Sequence, residues 1–192
     1  MTTRRHSWQS TADPDTIFTL RPPNPDDGAS IYELIQQSPP LDLNSCYAYL
    51  LQSLHLADTC VIATDTQGPA GYISGYIPPR QTHTLFIWQV AVAERARGHG
   101  LALRMLQHLL QRPACAHVNH LEATVSPDNT ASDKLFRRLA RELDCCCEVH
   151  EFLPASAFGA ASQHEAEPLY RIGPFFLTAT HHQETPHASE HL

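Results

Sequence analysis

The chain has 192 residues, with 13 basic against 20 acidic side chains and a formal net charge of -7. That length suits a single domain able to bury a substantial core, and the acidic balance offers no electrostatic footprint for a phosphate backbone, so nucleic acid is not an expected partner. Hydrophobic residues at 42% against 17% charged exclude a disordered chain.

Residues 1–15 are polar and are expected to be a flexible N-terminus ahead of a single domain spanning 16–178. They hold no apolar run of signal-peptide length and nothing later is long enough to cross a bilayer, so a cytoplasmic protein with no membrane partner is expected. Ile17-Phe-Thr-Leu20 reads as a short strand stopped by Pro22 and Pro23. Asp26 or Asp27 can cap a helix whose residues Ile31, Leu34 and Ile35 share one face. A second helix follows Leu41-Asp-Leu-Asn-Ser45, a run of cap-type residues, with Tyr47, Leu50, Leu51 and Leu54 at helical spacing as its apolar face.

Cys60-Val-Ile-Ala63 and Ala70 to Ile77 are rich in strand formers and separated by Asp65-Thr-Gln-Gly-Pro69, which predicts a hairpin. Thr84 to Val92 is long and uncharged, as in a central strand buried on both faces. Leu101, Leu103, Leu106, Leu109 and Leu110 form a helical apolar face closed by Pro113. Leu121-Glu-Ala-Thr-Val125 is a further strand, and Asp128 or Asn129 can cap a helix carrying Leu135, Phe136 and Leu139. Cys145–Phe152 and Leu169–Leu177 supply two closing strands, and residues 179–192 are expected to be a disordered tail.

Cys46, Cys60 and Cys115 are scattered, and Cys145, Cys146 and Cys147 are consecutive, so they are read as reduced, hydrophobe-like thiols. Adjacent strand residues point to opposite faces and cannot converge tetrahedrally on zinc. The histidines lack a paired helical spacing, and no metal site is expected.

Chemistry concentrates in Trp88-Gln-Val-Ala-Val-Ala-Glu-Arg-Ala-Arg-Gly-His-Gly100, where Arg95-x-x-Gly98-x-Gly100 opens a helix soon after a strand. Glycines let backbone turn tightly and approach a ligand. The unpaired N–H groups of a first helical turn, with the helix dipole, favour an anion such as a pyrophosphate. A dinucleotide fold would add a third glycine and an acidic residue about 20 positions on. Neither the third glycine nor an early strand-loop-helix unit is present.

The segment resembles the acyl-CoA pyrophosphate loop, Q/R-x-x-G-x-G/A, of the GNAT superfamily of N-acetyltransferases. The order of elements over residues 17–177 is similar too. The resemblance implies an α/β fold with a mixed, mostly antiparallel sheet of about six to seven strands flanked by about four helices. It implies acetyl-CoA as co-substrate, with Val90 and Val92 offering backbone groups to the pantetheine, Arg95, Arg97, Gly98, His99, Gly100 and Leu101 holding the pyrophosphate, and Asn129 touching the cofactor. Many members carry a tyrosine on the later helix to protonate the departing thiolate. This chain has Phe136, which has no proton to give.

Longer strings narrow the resemblance: Arg21-Pro-Pro, Leu41 to Leu51, Leu85-Phe-Ile-Trp-Gln-Val-Ala-Val92, Thr124-Val-Ser-Pro-Asp-Asn129 and His164-Glu-Ala-Glu167. They are similar to the L-2,4-diaminobutyrate N4-acetyltransferases of ectoine biosynthesis, which implies a homodimer acetylating a small diamino acid. Such an acceptor needs a carboxylate for its ammonium groups. The candidate pocket residues are Asp42, equally able to cap a helix, and Trp88, equally able to fill a core. Glu148, with Glu151 near it, is the candidate for balancing the amine or accepting its proton. Tyr47, Tyr49 and His164 are candidate substrate contacts. Only a neutral amine attacks a thioester, and the oxyanion that results needs a donor, for which a backbone N–H near Val90 is expected. No cysteine sits in a Cys-His constellation, so direct transfer in a ternary complex is expected over an acyl-cysteine. The alternatives are another small amine or a protein N-terminus as acceptor, and a non-catalytic acyl-CoA-binding module.

Overall fold

A computed structural model describes residues 18–159 and 165–177. The expectations for residues 1–15, His164 and the tail at 179–192 lie outside that range. The first strand, β1, is Thr19–Arg21, starting two residues and ending one residue later than the expected Ile17–Leu20. After it Arg21 clamps Asp27, its two terminal nitrogens each 2.7 Å from a carboxylate oxygen. The cap of this corner is Asn24, whose side chain accepts from the Asp26 N–H, while Asp27 reaches back to the Asn24 N–H. Helix α1, Gly28–Gln36, then buries Ile31, Leu34 and Ile35 as its spacing predicts.

Helix α2 is Cys46–His55, capped by Ser45 rather than by Asp42. Its apolar stripe faces the opposite way from the one expected. Tyr47 is 66% exposed and Leu54 58%, with Leu50 and Leu51 partly open beside them. The buried side carries Tyr49, Gln52 and Ser53. A helix that turns its leucines outward and its glutamine inward departs from simple amphipathic burial, and the hydroxyl of buried Tyr72 explains part of it by donating to Gln52 Oε1 at 3.1 Å.

The remaining strands are β2 Val61–Asp65, β3 Gly68–Tyr76, β4 Thr84–Val92, β5 His120–Thr124, β6 Cys146–Leu153 and β7 Glu167–Gly173. Helix α3 is Leu101–Leu110 and α4 is Thr130–Glu142. The seven strands form one sheet in the order β1-β2-β3-β4-β5-β7-β6. Every pairing is antiparallel except β4 with β5. This is the mixed, mostly antiparallel sheet with four helices that the family resemblance implies. One core layer lies between the sheet and α3 and α4, built on Leu85, Ile87, Met105, Leu106, Leu121 and Leu139. A second, smaller layer packs α1 and α2 onto the other face through Ile31, Ile35, Tyr49, Ile62 and Tyr72.

The centre of the sheet is interrupted on purpose. Against β3, Ser74 pairs with Gln89 and Gly75 with Ile87, so Trp88 is the extra residue of a β-bulge. The parallel pairing of β4 with β5 ends at Ile87 opposite Ala123, the residue before that bulge. Beyond it β4 runs on to Val92 while β5 stops at Thr124, leaving one edge of β4 without a strand neighbour. The extra residue also flips the pleat. Leu85 and Ile87 face the α3/α4 layer before it, and Val90 and Val92 pack against that layer after it. Trp88 itself is 46% exposed, against the expectation of a strand buried on both faces.

Candidate active site

Where β4 loses its neighbour, its backbone is aimed into open space. The Ala93 N–H donates to Ala70 O on the β3 side at 2.9 Å. By strand alternation the backbone groups of Val92 and Val90 point the other way. The Val92 carbonyl meets the Arg97 Nε donor at 3.2 Å.

Past Val92 the chain turns through Glu94–Ala96 and reaches Gly98 at φ 83° and Gly100 at φ 68°. An L side chain at either would be strained, which is why glycine stands there. Gly100 caps α3 with no side chain, and the first helical bond is from the Arg104 N–H to Gly100 O at 3.1 Å. The N–H groups of Leu101, Ala102 and Leu103 therefore precede the helical ladder and are available to an anion. Among the described residues, and apart from the adjoining ones in the chain, no atom lies within 4 Å of where a Cβ would stand on Gly98 or Gly100. The space beside the loop is free for a ligand.

Three cavities line up along this path. One of about 260 Å³ lies at the glycine loop, walled by Gly98, Gly100 and Leu101 with the cations Arg97, Lys134 and Arg138. It shares Val92, Arg97, Ala102, Ala131 and Leu135 with a second, of about 300 Å³, which runs along Val90 to Val92. That cavity in turn shares Pro40, Leu41 and Asn129 with a third, of about 580 Å³, on the α1/α2 side of the sheet. The third contains Trp88, Gln89, Tyr76 and Phe86. Among the described residues its charged lining is Asp42, Glu122 and Glu167. One trench thus has a cationic end with exposed helix amides and an anionic end with carboxylates.

The first two cavities suit an acyl-CoA: the outward-facing backbone of Val90 and the Val92 N–H for an amide-bearing arm, and cations with unpaired N–H groups for its phosphates. Two residues expected there stand elsewhere. The Arg95 guanidinium is held by Asp65, Nε to Oδ2 and Nη2 to Oδ1 both at 3.0 Å, and by the Pro69 carbonyl at 2.9 Å. It pins the β2–β3 turn and does not line the trench. His99 is exposed and also off its walls. Asn129 lines two cavities while its side chain caps α4, accepting from the Ser132 N–H at 3.1 Å.

At the acceptor end, Asp42 and Trp88 are brought together as wall residues. Asp42 lies in the loop before α2, and its carbonyl accepts from Gln89 Nε2 at 2.6 Å. Tyr47 and Glu148 are not brought there: Tyr47 projects from the exposed face of α2, and Glu148 is 62% exposed on edge strand β6, near His150. The string His164-Glu-Ala-Glu167 contributes its last residue to the cavity instead.

Glu122 went unremarked in the sequence although it carried a signal, a lone carboxylate in the apolar strand Leu121 to Val125. It is 6% exposed, and Arg171, its register partner on β7, donates to its Oε1. The next partner of Arg171 across the sheet is Glu148. Glu122, Arg171 and Glu148 therefore form one cross-strand row with only its inner end in the cavity. His120, two residues before Glu122, has its pKa lowered by burial and by the nearby Arg171 charge. Phe136 is buried against Tyr170, ring centroids 6.4 Å apart, and lines none of these three cavities.

Residues 28–140 match the Acetyltransferase (GNAT) family. The chain is 50% identical over 159 residues to an L-2,4-diaminobutyric acid acetyltransferase of Bordetella parapertussis, covering 82% of this chain and 85% of that one. It is 47% identical to the enzyme of the same name from Halomonas elongata, covering 81% of each. Among solved structures, the diaminobutyrate acetyltransferase EctA of Paenibacillus lautus, in complex with its substrate L-2,4-diaminobutyric acid and coenzyme A, superposes with a TM-score of 0.81 at 42% identity. The match covers 85% of this chain and 98% of that one.

Proposed function

Since the chain belongs to the GNAT acetyltransferases and, among them, to the L-2,4-diaminobutyric acid acetyltransferase family, we propose that it transfers the acetyl group of acetyl-CoA to the N4 amine of L-2,4-diaminobutyrate. The product is N4-acetyl-L-2,4-diaminobutyrate, an intermediate on the way to ectoine. The observation that carries this reading is the charge division of the trench. Arg97, Lys134 and Arg138 stand at the end that would hold phosphates, and Asp42, Glu122 and Glu167 at the end that would hold a diamine. Among the described residues no basic side chain lines the acceptor cavity.

Acetyl-CoA supplies the acyl group as a thioester, and the chain does the rest by placement and proton handling. The amine is mostly protonated at neutral pH, with an ordinary pKa of about 10, and only its neutral form is a nucleophile. The carboxylates attract the cation, which loses one proton to solvent, directly or by way of Glu122, before its neutral nitrogen attacks; the second proton, released once nitrogen bonds to the acyl carbon, passes to Glu122, directly or through water. The carbon–sulfur bond then breaks and CoA leaves. A backbone N–H at the free edge of β4, beside Val90, is placed to receive the oxyanion that develops. The three cavities adjoin in one trench, which supports direct transfer in a ternary complex over a relay through the enzyme. With Phe136 out of reach, the proton for the departing sulfur comes from the acceptor side or from water.

The working form is a homodimer located in the cytoplasm. Among the described residues no helix is long and apolar enough to cross a membrane. The uncharged face of α2, with Tyr47, Leu50, Leu51 and Leu54, is the surface that a second copy would cover.

The experiment is thiol release from acetyl-CoA with purified protein and L-2,4-diaminobutyrate, beside ornithine, lysine and spermidine, with the acetylated nitrogen located by NMR. Preferential N4-acetylation of diaminobutyrate is the expected result. Turnover with another amine in preference, or none at all despite CoA binding, would overturn the assignment.

A further inference from the structure

We infer that Gln89 is a positioning residue for the acceptor site, clipping the loop that carries Asp42 to the central strand. It follows Trp88 directly, so the bulge that opens the sheet also sends the Gln89 side chain to the α1/α2 face, where it is buried. There its two polar atoms are both used. Nε2 donates to the Asp42 carbonyl at 2.6 Å, and Oε1 accepts from the Tyr49 hydroxyl at 3.2 Å. That hydroxyl in turn accepts from the Asn44 N–H at 3.2 Å. The segment before α2 is thereby held at Asp42 and again at Asn44 by one continuous chain of bonds.

The anchor beneath is rigid. Tyr49 has no exposed surface, and its ring meets those of Tyr32 and Tyr72 at centroid separations of 6.3 Å and 6.5 Å. Tyr72 is fixed by Gln52 from the other side. A loop of irregular backbone thus inherits the stability of the sheet, at the point where Pro40 and Leu41 divide the acceptor cavity from the cavity along Val90 and Val92. A glutamine buried in an otherwise apolar strand needs a reason, because an unsatisfied amide there is destabilising. Holding Asp42 at the cavity wall supplies one.

This inference rests on Asp42 being an acceptor ligand, and its test separates the two. Gln89→Met conserves volume while removing both bonds, and Tyr49→Phe removes one. Gln89→Met is expected to raise KM for diaminobutyrate about tenfold, with KM for acetyl-CoA within about twofold; Tyr49→Phe should shift it the same way by less. In an Asp42→Asn background, Gln89→Met should add nothing, since it acts through that residue. Hydrogen exchange of the amides at 41–45, read without substrate, should accelerate in both variants. Unaltered exchange, a parallel rise in both KM values, or multiplying effects in the double variant would overturn the clip. A wild type that neither binds nor acetylates diaminobutyrate, with exchange still accelerated in the variants, would instead overturn the parent reading and the role given to Asp42.

Discussion

Glu122 and Arg171 stand opposite each other on β5 and β7, the carboxylate buried at the wall of the acceptor cavity and the guanidinium donating to one of its oxygens. Burying a carboxylate this deeply is costly without a partner, and removing one member leaves the other uncompensated. Arg171 is itself flanked by Glu148 on its outer side. The inner carboxylate is therefore presented to the cavity, and the outer one to solvent.

The two glutamates should separate cleanly on substitution. Glu122→Gln is expected to lower kcat by about a hundredfold or more, the usual effect of losing an acid-base group. Glu148→Gln is expected to change kcat less than about threefold, because its side chain is exposed and reaches no cavity wall. Steady-state kinetics on both variants, with circular dichroism to confirm folding, decides it. Comparable losses in the two would return Glu148 to the reaction.

At the other end of the trench the two arginines of the loop should also part. Arg97→Ala is expected to weaken CoA binding about tenfold or more, the scale of a charge-assisted hydrogen bond. Arg95→Ala should leave it within about twofold, since its guanidinium is spent on Asp65 and the Pro69 carbonyl. Isothermal titration with CoA at two salt concentrations measures both. Equal losses would bring Arg95 back to the phosphates.

Much of this was legible in the chain, and the misses have physical causes. Periodicity places the strands and helices within a few residues, because the leucines of α3 and aliphatic residues such as Val61, Ile73 and Leu85 of β2 to β4 bury where their spacing says. The glycine loop was readable because positive φ at Gly98 and Gly100 leaves a compositional trace. Helix α2 misled because its leucines mark an exposed face, and no period distinguishes a core from an apolar surface. Arg95 misled because the turn at Asp65 competes for it across the hairpin. Glu122 and Gln89 were visible only as polar letters in apolar strands. Their meaning depends on a bulge and a register that a single sequence does not display.

Replacing Gly100 should test whether its left-handed backbone is needed. At φ 68° with open space around its missing Cβ, Gly100→Ala meets no steric neighbour and feels only the backbone penalty, about 1–2 kcal/mol. The variant should fold with a modestly lower Tm, and its CoA affinity should fall further than that stability loss alone accounts for, because the methyl projects beside the helix amides. Unchanged affinity would detach this turn from the phosphates.

The Arg95–Asp65 pair makes a prediction in pH. The hydrogen bond from Arg95 holds the Asp65 carboxyl below its usual value of 3.8. A folded pKa below the unfolded one contributes stability that is present above the unfolded value and is lost as pH falls through the folded one. Asp65→Asn should therefore lower Tm at neutral pH by a small amount, as expected for a largely surface pair, and flatten its decline between about pH 5 and about pH 2. An acid limb identical to that of the wild type would show that the pair contributes nothing.

The outward face of α2 can be tested without touching the trench. Tyr47 and Leu54 are the most exposed members of its apolar stripe, so Tyr47→Glu with Leu54→Glu removes little packing inside the chain. If the stripe is the homodimer contact, two charges in each copy would meet their like across a two-fold axis, and desolvating them costs more than the contact returns. Sedimentation equilibrium should give a dimer for the wild type and a single-chain mass for the variant, with an unchanged far-ultraviolet spectrum. A variant that stays dimeric would move the interface elsewhere, with the exposed outer strand β6 and its Val149 and Phe152 as the next surface to charge.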